Sequence, residues 1–165
     1  MSMIGHYLRV TPAELDRAVK DPGWALEHIE QVQDAEEKTD FPASEARHFS
    51  TDKCWDVLGF LLRRAAFPVD VVHGDEPVTD DDWGYGPPMC LPADRVRFAA
   101  GNLDRVGYDD LVRGVDPAEV GRAGVYPFIW DRPEALEWAR SRYDSLVAFF
   151  SAAARTGDAL LIWLD

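Results

Sequence analysis

The sequence predicts one α+β domain with a small mixed sheet that includes the N- and C-terminal strands and is covered by several helices. Two observations favour this class: an apolar, strand-like segment lies near each end of the chain, and helix-capping patterns recur between them. The order of strands and helices is too irregular for a doubly wound α/β sheet. We therefore expect the two terminal strands to lie side by side, in one domain over residues 1–165.

The first predicted strand leads directly into a helix. The strand covers Met3 to Val10, and Thr11-Pro12-Ala13-Glu14 predicts the helix start, because Thr can cap it, Pro suits its first position and Glu can complete a capping box. This helix is expected to stop near Asp21-Pro22-Gly23. Helical spacing of apolar residues then continues from Trp24 to Val32, before an acidic stretch that is expected to be exposed.

The middle of the chain is predicted to hold a short strand, the central core helix and a long loop. The strand is expected over Arg47 to Phe49, and Ser50 or Thr51 is expected to cap the helix that follows. Apolar residues from Trp55 to Ala65 recur at helical spacing and indicate a buried helix face. From Phe67 to Pro88 the chain is rich in Pro, Gly and Asp, which predicts a long ordered loop of the kind that is often functional.

The second half repeats the helix-starting pattern of the first. Met89 to Leu91 is a predicted strand, and Pro92-Ala93-Asp94 opens a helix that should run to about Leu103. Asp116-Pro117-Ala118-Glu119 predicts a further helix start, with Gly124 at the end of that helix. The segments after these starts share no period, so the starts reflect the same capping physics and not an internal repeat.

The longest helix and the last strand are predicted near the C-terminal end. Asp131 and Glu134 are expected to cap a helix over Pro133 to Arg155, whose apolar residues recur at close to 3.6-residue spacing. Ala159 to Leu164 is wholly apolar and predicts the final strand. This strand is the expected neighbour of the first one.

The charge balance of the chain limits its partners. The formal net charge is −13, from 30 acidic and 17 basic residues. Such a charge repels phosphate backbones and anionic lipid, so no nucleic-acid partner and no membrane association are predicted. Two interpretations stay open, namely a protein partner with a basic surface, and solubility alone. The sequence does not determine the oligomeric state.

The chain carries no recognisable export or membrane signal. Its first residues lack a basic region followed by an apolar one, and its apolar runs are too short to cross a bilayer. The expected location is therefore the cytoplasm. In that reducing compartment Cys54 and Cys90 would remain thiols, and both are interpreted as small core residues.

Strong catalytic and cofactor motifs are absent from the sequence. It contains no phosphate-binding, dinucleotide-binding, nucleophile-elbow or zinc pattern, so no cofactor is predicted. The four histidines are not within helical reach of one another, and each is interpreted as a structural residue: His6, His28, His48 and His73. The acidic run from Asp75 to Asp82 lacks the ligand spacing of a calcium loop, so it is interpreted as a solvated loop and no metal site is predicted.

The most informative local pattern is Trp83-Gly84-Tyr85-Gly86-Pro87-Pro88. Glycine permits positive φ and proline fixes φ, so this loop is expected to hold Tyr85 in one orientation. Two interpretations remain open. Tyr85 either packs on the core as part of a structural turn, or its ring contacts a ligand.

Several short segments, spread along nearly the whole chain, carry a family resemblance. They are Met3-Ile4-Gly5, Asp52-Lys53-Cys54-Trp55, Gly74-Asp75-Glu76-Pro77, Gly84-Tyr85-Gly86-Pro87, Gly124-Val125-Tyr126-Pro127 with Trp130, and the closing strand. Together they resemble the YfbM-like family of small bacterial proteins, a domain of unknown function. The resemblance implies a one-domain α+β fold and brings no established activity.

The chain departs from that family at two positions. Asp56 stands where members commonly carry His, and Pro88-Met89 stands where Ala-Arg commonly follows the Gly-Tyr-Gly-Pro loop. A histidine base or an arginine anion clamp at those positions is therefore missing from this sequence. This favours architecture over catalysis as the reason for the motifs.

Two hypotheses of function follow. The preferred one is a non-catalytic binding or interaction protein, acidic and without a cofactor, because no residue set completes a catalytic constellation. The alternative is a small-molecule-binding protein or an enzyme with Asp52 as general acid or base and a pocket walled by Trp55, Tyr85, Tyr126 and Trp130. A structural interpretation competes with this cluster: both tryptophans would be core residues, and Asp52 a first-turn carboxylate favoured by the helix dipole.

Overall fold

Helices and strands follow one another irregularly along residues 2–165, the part of the chain that this computed structural model describes. The elements are, in order, β1 (Gly5–Val10), α1 (Pro12–Lys20), α2 (Pro22–Glu36), β2 (His48–Asp52), α3 (Trp55–Arg64), β3 (Glu76–Pro77), β4 (Met89–Leu91), α4 (Ala93–Leu103), α5 (Tyr108–Val112), α6 (Pro117–Arg122), α7 (Pro133–Trp138), α8 (Arg140–Arg155) and β5 (Ala159–Leu164). The predicted α+β class is confirmed.

The strands form one sheet in the order β2-β1-β5-β4-β3, so β1 and β5 are neighbours as predicted. They pair antiparallel over their full length, from Gly5 opposite Leu164 to Val10 opposite Ala159. The other strand pairs recorded within residues 2–165 are antiparallel as well. The prediction of a mixed sheet is therefore wrong. Apolar patterning does not encode strand direction, which depends on where the connecting helices return the chain.

The side chains of β1 and β5 alternate between two cores, one on each face of the sheet. Tyr7 and Ile162 belong to the larger core, which α3, α4 and α8 cover. Leu8 and Leu161 belong to the smaller core, which α1 and α2 cover. Because β5 is the central strand and is buried on both faces, its sequence is apolar at every position.

The structure contains only some of the helix caps that the sequence predicts. At α1 the capping box is present, with Thr11 Oγ1 accepting from the Glu14 N–H at 3.0 Å and Glu14 Oε1 accepting from the Thr11 N–H at 2.9 Å. The cap predicted for α3 is wrong, because Ser50 and Thr51 both belong to β2, which ends at Asp52, and α3 begins without a side-chain cap. Asp52 is consequently not a first-turn carboxylate. That position in α3 belongs to Asp56.

The long C-terminal helix is divided in two. The Ala139 N–H bonds to the Leu136 carbonyl three residues earlier, and this tighter turn separates α7 from α8. The cap predicted from Asp131 and Glu134 is also wrong, since α7 begins without a side-chain cap. The 3.6-residue spacing continued through the break, so the sequence pattern did not reveal it.

Two short elements were not predicted. Within the long loop, β3 adds a two-residue strand to the edge of β4, with Glu76 opposite Cys90. The helix α5 follows Gly107, whose N–H donates to the Asp110 carboxylate at 3.0 Å. Among residues 2–165, none of the helices combines the length and apolar character needed to cross a membrane.

Candidate functional site

The loop around Tyr85 lies across the end of β5 and is held by hydrogen bonds that its backbone N–H groups donate. The Tyr85 N–H donates to the Leu164 carbonyl at 3.2 Å. Asp82 Oδ1 accepts from the N–H groups of Gly84 at 2.8 Å and Gly86 at 3.1 Å. The loop is therefore fixed, as the sequence predicts. Tyr85 itself is 39% exposed, so it does not pack into a core.

Gly84 allows this loop to approach the sheet closely. Its φ is +143°, and a Cβ there would lie 2.9 Å from both Asp165 Cα and the Leu164 carbonyl oxygen. On one side of it Trp83 meets Trp163 edge to face, with ring centroids 6.2 Å apart. On the other side lies Tyr85. The loop thus places one aromatic ring on each face of the sheet.

A cavity of about 270 Å³ lies beneath Tyr85, on the face of the larger core. Its wall is mainly apolar and includes Val72, Tyr85, Pro87, Met89, Ile162 and Leu164. The lining residues whose side chains carry polar atoms are His73, Tyr85 and Trp163. We call it the tyrosine cavity. Small-molecule sites have the same character, a largely apolar wall with a few polar groups.

His73 is oriented by the neighbouring Asp70. Asp70 Oδ2 lies 3.3 Å from His73 Nδ1, and Asp70 Oδ1 accepts from the backbone N–H groups of Val72 at 3.2 Å and His73 at 2.9 Å. Burial raises the pKa of Asp70, but the hydrogen bonds from His73 and Val72 outweigh it and hold that pKa below its usual value. Asp70 is therefore a carboxylate that fixes the imidazole at the cavity wall.

Three of the predicted aromatic residues lie together, outside the tyrosine cavity. The rings of Trp55 and Tyr126 stack with centroids 5.7 Å apart. Trp130 Nε1 donates to the Tyr126 carbonyl at 2.7 Å, and Trp55 Nε1 donates to the Met3 carbonyl at 3.1 Å. Both tryptophans are buried with satisfied indole donors, which is the structural interpretation of them. His73 joins the two places, because its ring meets Trp55 edge to face at 5.8 Å and lines the cavity.

Asp52, the candidate acid or base, is on the surface. It ends β2 in a left-handed conformation with φ of 52°, and its side chain is 52% exposed. Its recorded ionic neighbour is Arg142, at 4.0 Å. Other residues form the wall of the tyrosine cavity. The catalytic role of Asp52 stays a prediction, and it gains nothing from this placement.

Two histidines that the sequence presented singly form a pair. His6 Nδ1 lies 3.0 Å from His48 Nε2, and His6 Nε2 lies 2.9 Å from Asp165 Oδ1. Burial, together with the nearby His6, lowers the pKa of His48 to about 4. Helical spacing does not reveal the pair, because it forms between the adjacent strands β1 and β2. The predicted pairing of strands would have been the way to recognise this histidine pair.

The histidine pair does not converge on a metal position. Its ring centroids are 5.2 Å apart, close to the greatest separation that a 3.0 Å contact between ring nitrogens permits, so the two nitrogens point at each other. Within residues 2–165, no group of three or more His, Cys, Asp or Glu side chains is placed to hold a metal ion. In the predicted acidic loop, Asp75 instead binds Arg95 at 2.7 Å.

Comparison with known proteins gives a family and a fold. A family model described as "Domain of unknown function (DUF1877)" matches residues 1–163. A solved structure, that of a protein of unknown function, YfbM from Escherichia coli, matches with a TM-score of 0.66 and 17% sequence identity, over 98% of this chain and 99% of that chain. At this identity the likeness shows the fold alone. No curated protein matches the chain.

Proposed function

The chain belongs to the DUF1877 family, a domain of unknown function, and within it we propose that the chain acts as a non-catalytic binding protein that takes a small, mainly apolar ligand into the tyrosine cavity. The proposal treats residues 1–165 as one domain. The observation that carries it is the cavity itself, an apolar concavity of about 270 Å³ beneath a loop that is fixed by its own hydrogen bonds.

The size and chemistry of the cavity define the ligand. Sites for drug-sized molecules enclose roughly 300 Å³ or more, so the tyrosine cavity suits a single ring system. Met89, Ile162 and Leu164 supply apolar contact. The Tyr85 hydroxyl and the imidazole of His73 can bind one polar substituent at the wall. A rigid site of this kind loses little conformational freedom on binding.

Binding without chemistry is favoured by the composition of the wall. Its titratable side chains are His73 and Tyr85, and the carboxylate beside His73 serves to orient the ring. Asp52 lies elsewhere on the surface. The proposal therefore assigns no acid, base or nucleophile. Turnover of a bound ligand would contradict it.

Methyl NMR with indole as the probe tests this proposal. The sequence contains three methionines, and Met89 lines the cavity whereas Met3 does not. In protein labelled at the methionine methyl groups, indole should move the Met89 signal saturably and leave the Met3 signal in place. An unmoved Met89 signal at saturating indole would overturn the proposal.

A filling variant and its matched control complete the test. Leu164→Trp places a large ring in the tyrosine cavity and should weaken indole binding at least tenfold. Val112→Trp introduces the same ring in a separate apolar groove between α5, α6 and α7, and should leave indole binding unchanged. If Leu164→Trp fails to fold, Tyr85→Ala removes part of the wall instead. Undiminished binding in the folded cavity variant contradicts the proposal.

A second candidate function is binding to a protein with a basic surface, which the net charge of −13 favours. Attraction of this kind is screened by salt. A pull-down from cytosol should then recover basic proteins at low ionic strength and release them at high ionic strength. This candidate is contradicted if the recovered proteins are neutral or acidic and stay bound at high ionic strength.

A further inference from the structure

A second cleft lies between α2 and the end of β5, mainly on the opposite face of the sheet from the tyrosine cavity, with which it shares Trp163. It encloses about 150 Å³. Its wall consists of two apolar, two indole and three polar side chains: Leu26, Ile29, Trp83, Trp163, Glu30, Gln33 and Asp165. We call it the indole cleft. Its wall is chemically different from that of the tyrosine cavity, because it carries carboxylates.

The two indoles form an aromatic corner of the cleft. The rings of Trp83 and Trp163 meet edge to face at an interplanar angle of 75°. Trp163 is 6% exposed, and Trp83 is half-buried at the mouth. Indole rings attract ammonium and guanidinium groups through their negative faces. His6 stacks on Trp163 with ring centroids 5.2 Å apart, so Trp83 supplies the exposed indole surface of the corner that favours cations.

The carboxylates of the cleft have no cationic side chain beside them in its wall, which contains neither Arg nor Lys. Glu30 makes no ion pair or side-chain hydrogen bond that is recorded within residues 2–165. Asp165 Oδ1 faces His6 Nε2 at 2.9 Å, which holds the group in place and leaves Oδ2 for another partner. Two carboxylates that share one cleft repel each other, and a cation between them would relieve this repulsion.

We propose that the indole cleft binds an alkylammonium group. The ammonium would lie between Glu30 and Asp165 and against the indoles, and its alkyl stem would contact Leu26 and Ile29. Anions are repelled by the same carboxylates and by the net charge of −13. A neutral ligand would form no ion pair with either carboxylate. The ammonium could come from a free amine or from a lysine side chain of a protein.

Indole N–H signals in the ¹H–¹⁵N spectrum test the proposal, with butylammonium chloride as the probe and 1-butanol as its neutral match. The six tryptophans give six such signals, and Trp83→Phe identifies one of the two in the cleft. At constant ionic strength, butylammonium should move the Trp83 and Trp163 signals saturably, whereas 1-butanol should not. Equal movement with both probes would overturn the proposal.

Two charge variants on α2 distinguish binding in the indole cleft from general electrostatic attraction to the acidic protein. Glu30→Gln removes a cleft carboxylate and should weaken butylammonium binding about threefold. Glu27→Gln removes an exposed carboxylate of the same helix outside the cleft and should leave the affinity unchanged. Both residues are exposed, so both variants are expected to fold. Equal weakening in the two variants would mean that only net charge is sensed, and the proposal would fail.

A blocked Ala-Lys-Ala peptide identifies the source of the ammonium. Binding at least tenfold tighter than that of butylammonium assigns the cleft to a lysine side chain of a protein, and equal or weaker binding assigns it to a free amine. If neither probe binds, the proposal fails whatever the tyrosine cavity does. The Met89 methyl signal should stay in place throughout, because Met89 lines the tyrosine cavity and not the indole cleft.

Discussion

The Asp56 carboxylate accepts a hydrogen bond of 2.8 Å from the backbone N–H of Tyr126, across 70 residues of sequence. The Tyr126 ring stacks on Trp55, and its hydroxyl accepts from the Met3 N–H at 2.9 Å. Three of the segments that carry the family resemblance therefore meet at Tyr126. Asp56 therefore has a structural role in this chain.

Asp56→Ala should lower the free energy of unfolding by about 1–3 kcal/mol, because it leaves the partly buried Tyr126 N–H without an acceptor. Asp56→Asn keeps an acceptor oxygen and should lose less. Urea denaturation of the three proteins measures the difference. Equal stability of wild type and Asp56→Ala would show that water replaces the carboxylate.

Gly84→Ala should destabilise the loop more than Gly86→Ala. Both glycines have positive φ, of 143° and 105°, so alanine is strained at either position. At Gly84 alone the new methyl group also meets Asp165 and Leu164 at 2.9 Å, whereas no atom lies within 4 Å of a Cβ at Gly86. We expect the extra loss to be on the order of 1 kcal/mol or more in thermal or urea unfolding. If the two variants lose the same stability, the loop does not approach β5 as closely at Gly84 as described.

The native thiols should react slowly. Burial raises the pKa of both Cys54 and Cys90 to about 11, so at about pH 8 roughly one thiol in a thousand is ionised. Labelling with Ellman's reagent should be at least about a hundredfold slower in buffer than in concentrated urea. Urea is the control, because both thiols are exposed there. Rapid labelling of one thiol in buffer would identify a site that opens.

Acid should destabilise the protein through His48. Its pKa is about 4 in the folded protein and about 6.5 for an ordinary histidine, so the unfolded chain binds more protons between these values. The contribution of His48 is therefore complete above about pH 6.5 and is lost as the pH falls towards 4. Between about pH 7.5 and pH 5.0 the loss should be about 2 kcal/mol.

Urea unfolding at both pH values, for wild type and His48→Gln, measures the loss of stability that is due to His48. Burial also lowers the pKa of His28, so some pH dependence should survive in the variant. His73→Gln removes an imidazole outside the pair and serves as the control, with the full dependence retained. A His48→Gln protein as sensitive to acid as wild type would contradict the assignment.

The elements that the sequence predicted correctly are those with local causes. Thr11 and Glu14 cap α1 through atoms three residues apart, and the same starting pattern precedes α4 and α6. The failures have tertiary causes. Ser50 or Thr51 was expected to cap a helix, but both residues lie in β2, which pairs with β1. Pairing with a neighbouring strand overrides the local preference of Ser and Thr for helix caps.

The candidate site was predictable only in part. The glycines and prolines around Tyr85 indicated a fixed loop, and that loop roofs the tyrosine cavity. Trp55 and Trp130 were predicted as walls of a pocket, and the structure places both in the core. His73 was interpreted as a structural residue, although Asp70 three residues earlier was a usable signal for an oriented imidazole. The opposite wall comes from β5, about 80 residues farther along the chain, and no local pattern points to it.

By itself, the sequence determined the class of fold, the terminal strands and most helix starts, because hydrophobic period and capping act within a few residues. Only the tertiary structure decided strand direction, the pairing of His6 with His48, and the placement of Trp83 and Tyr85 on opposite faces of the sheet. These features depend on contacts between residues that are distant in sequence. They exist only after the sheet has brought the two ends of the chain together.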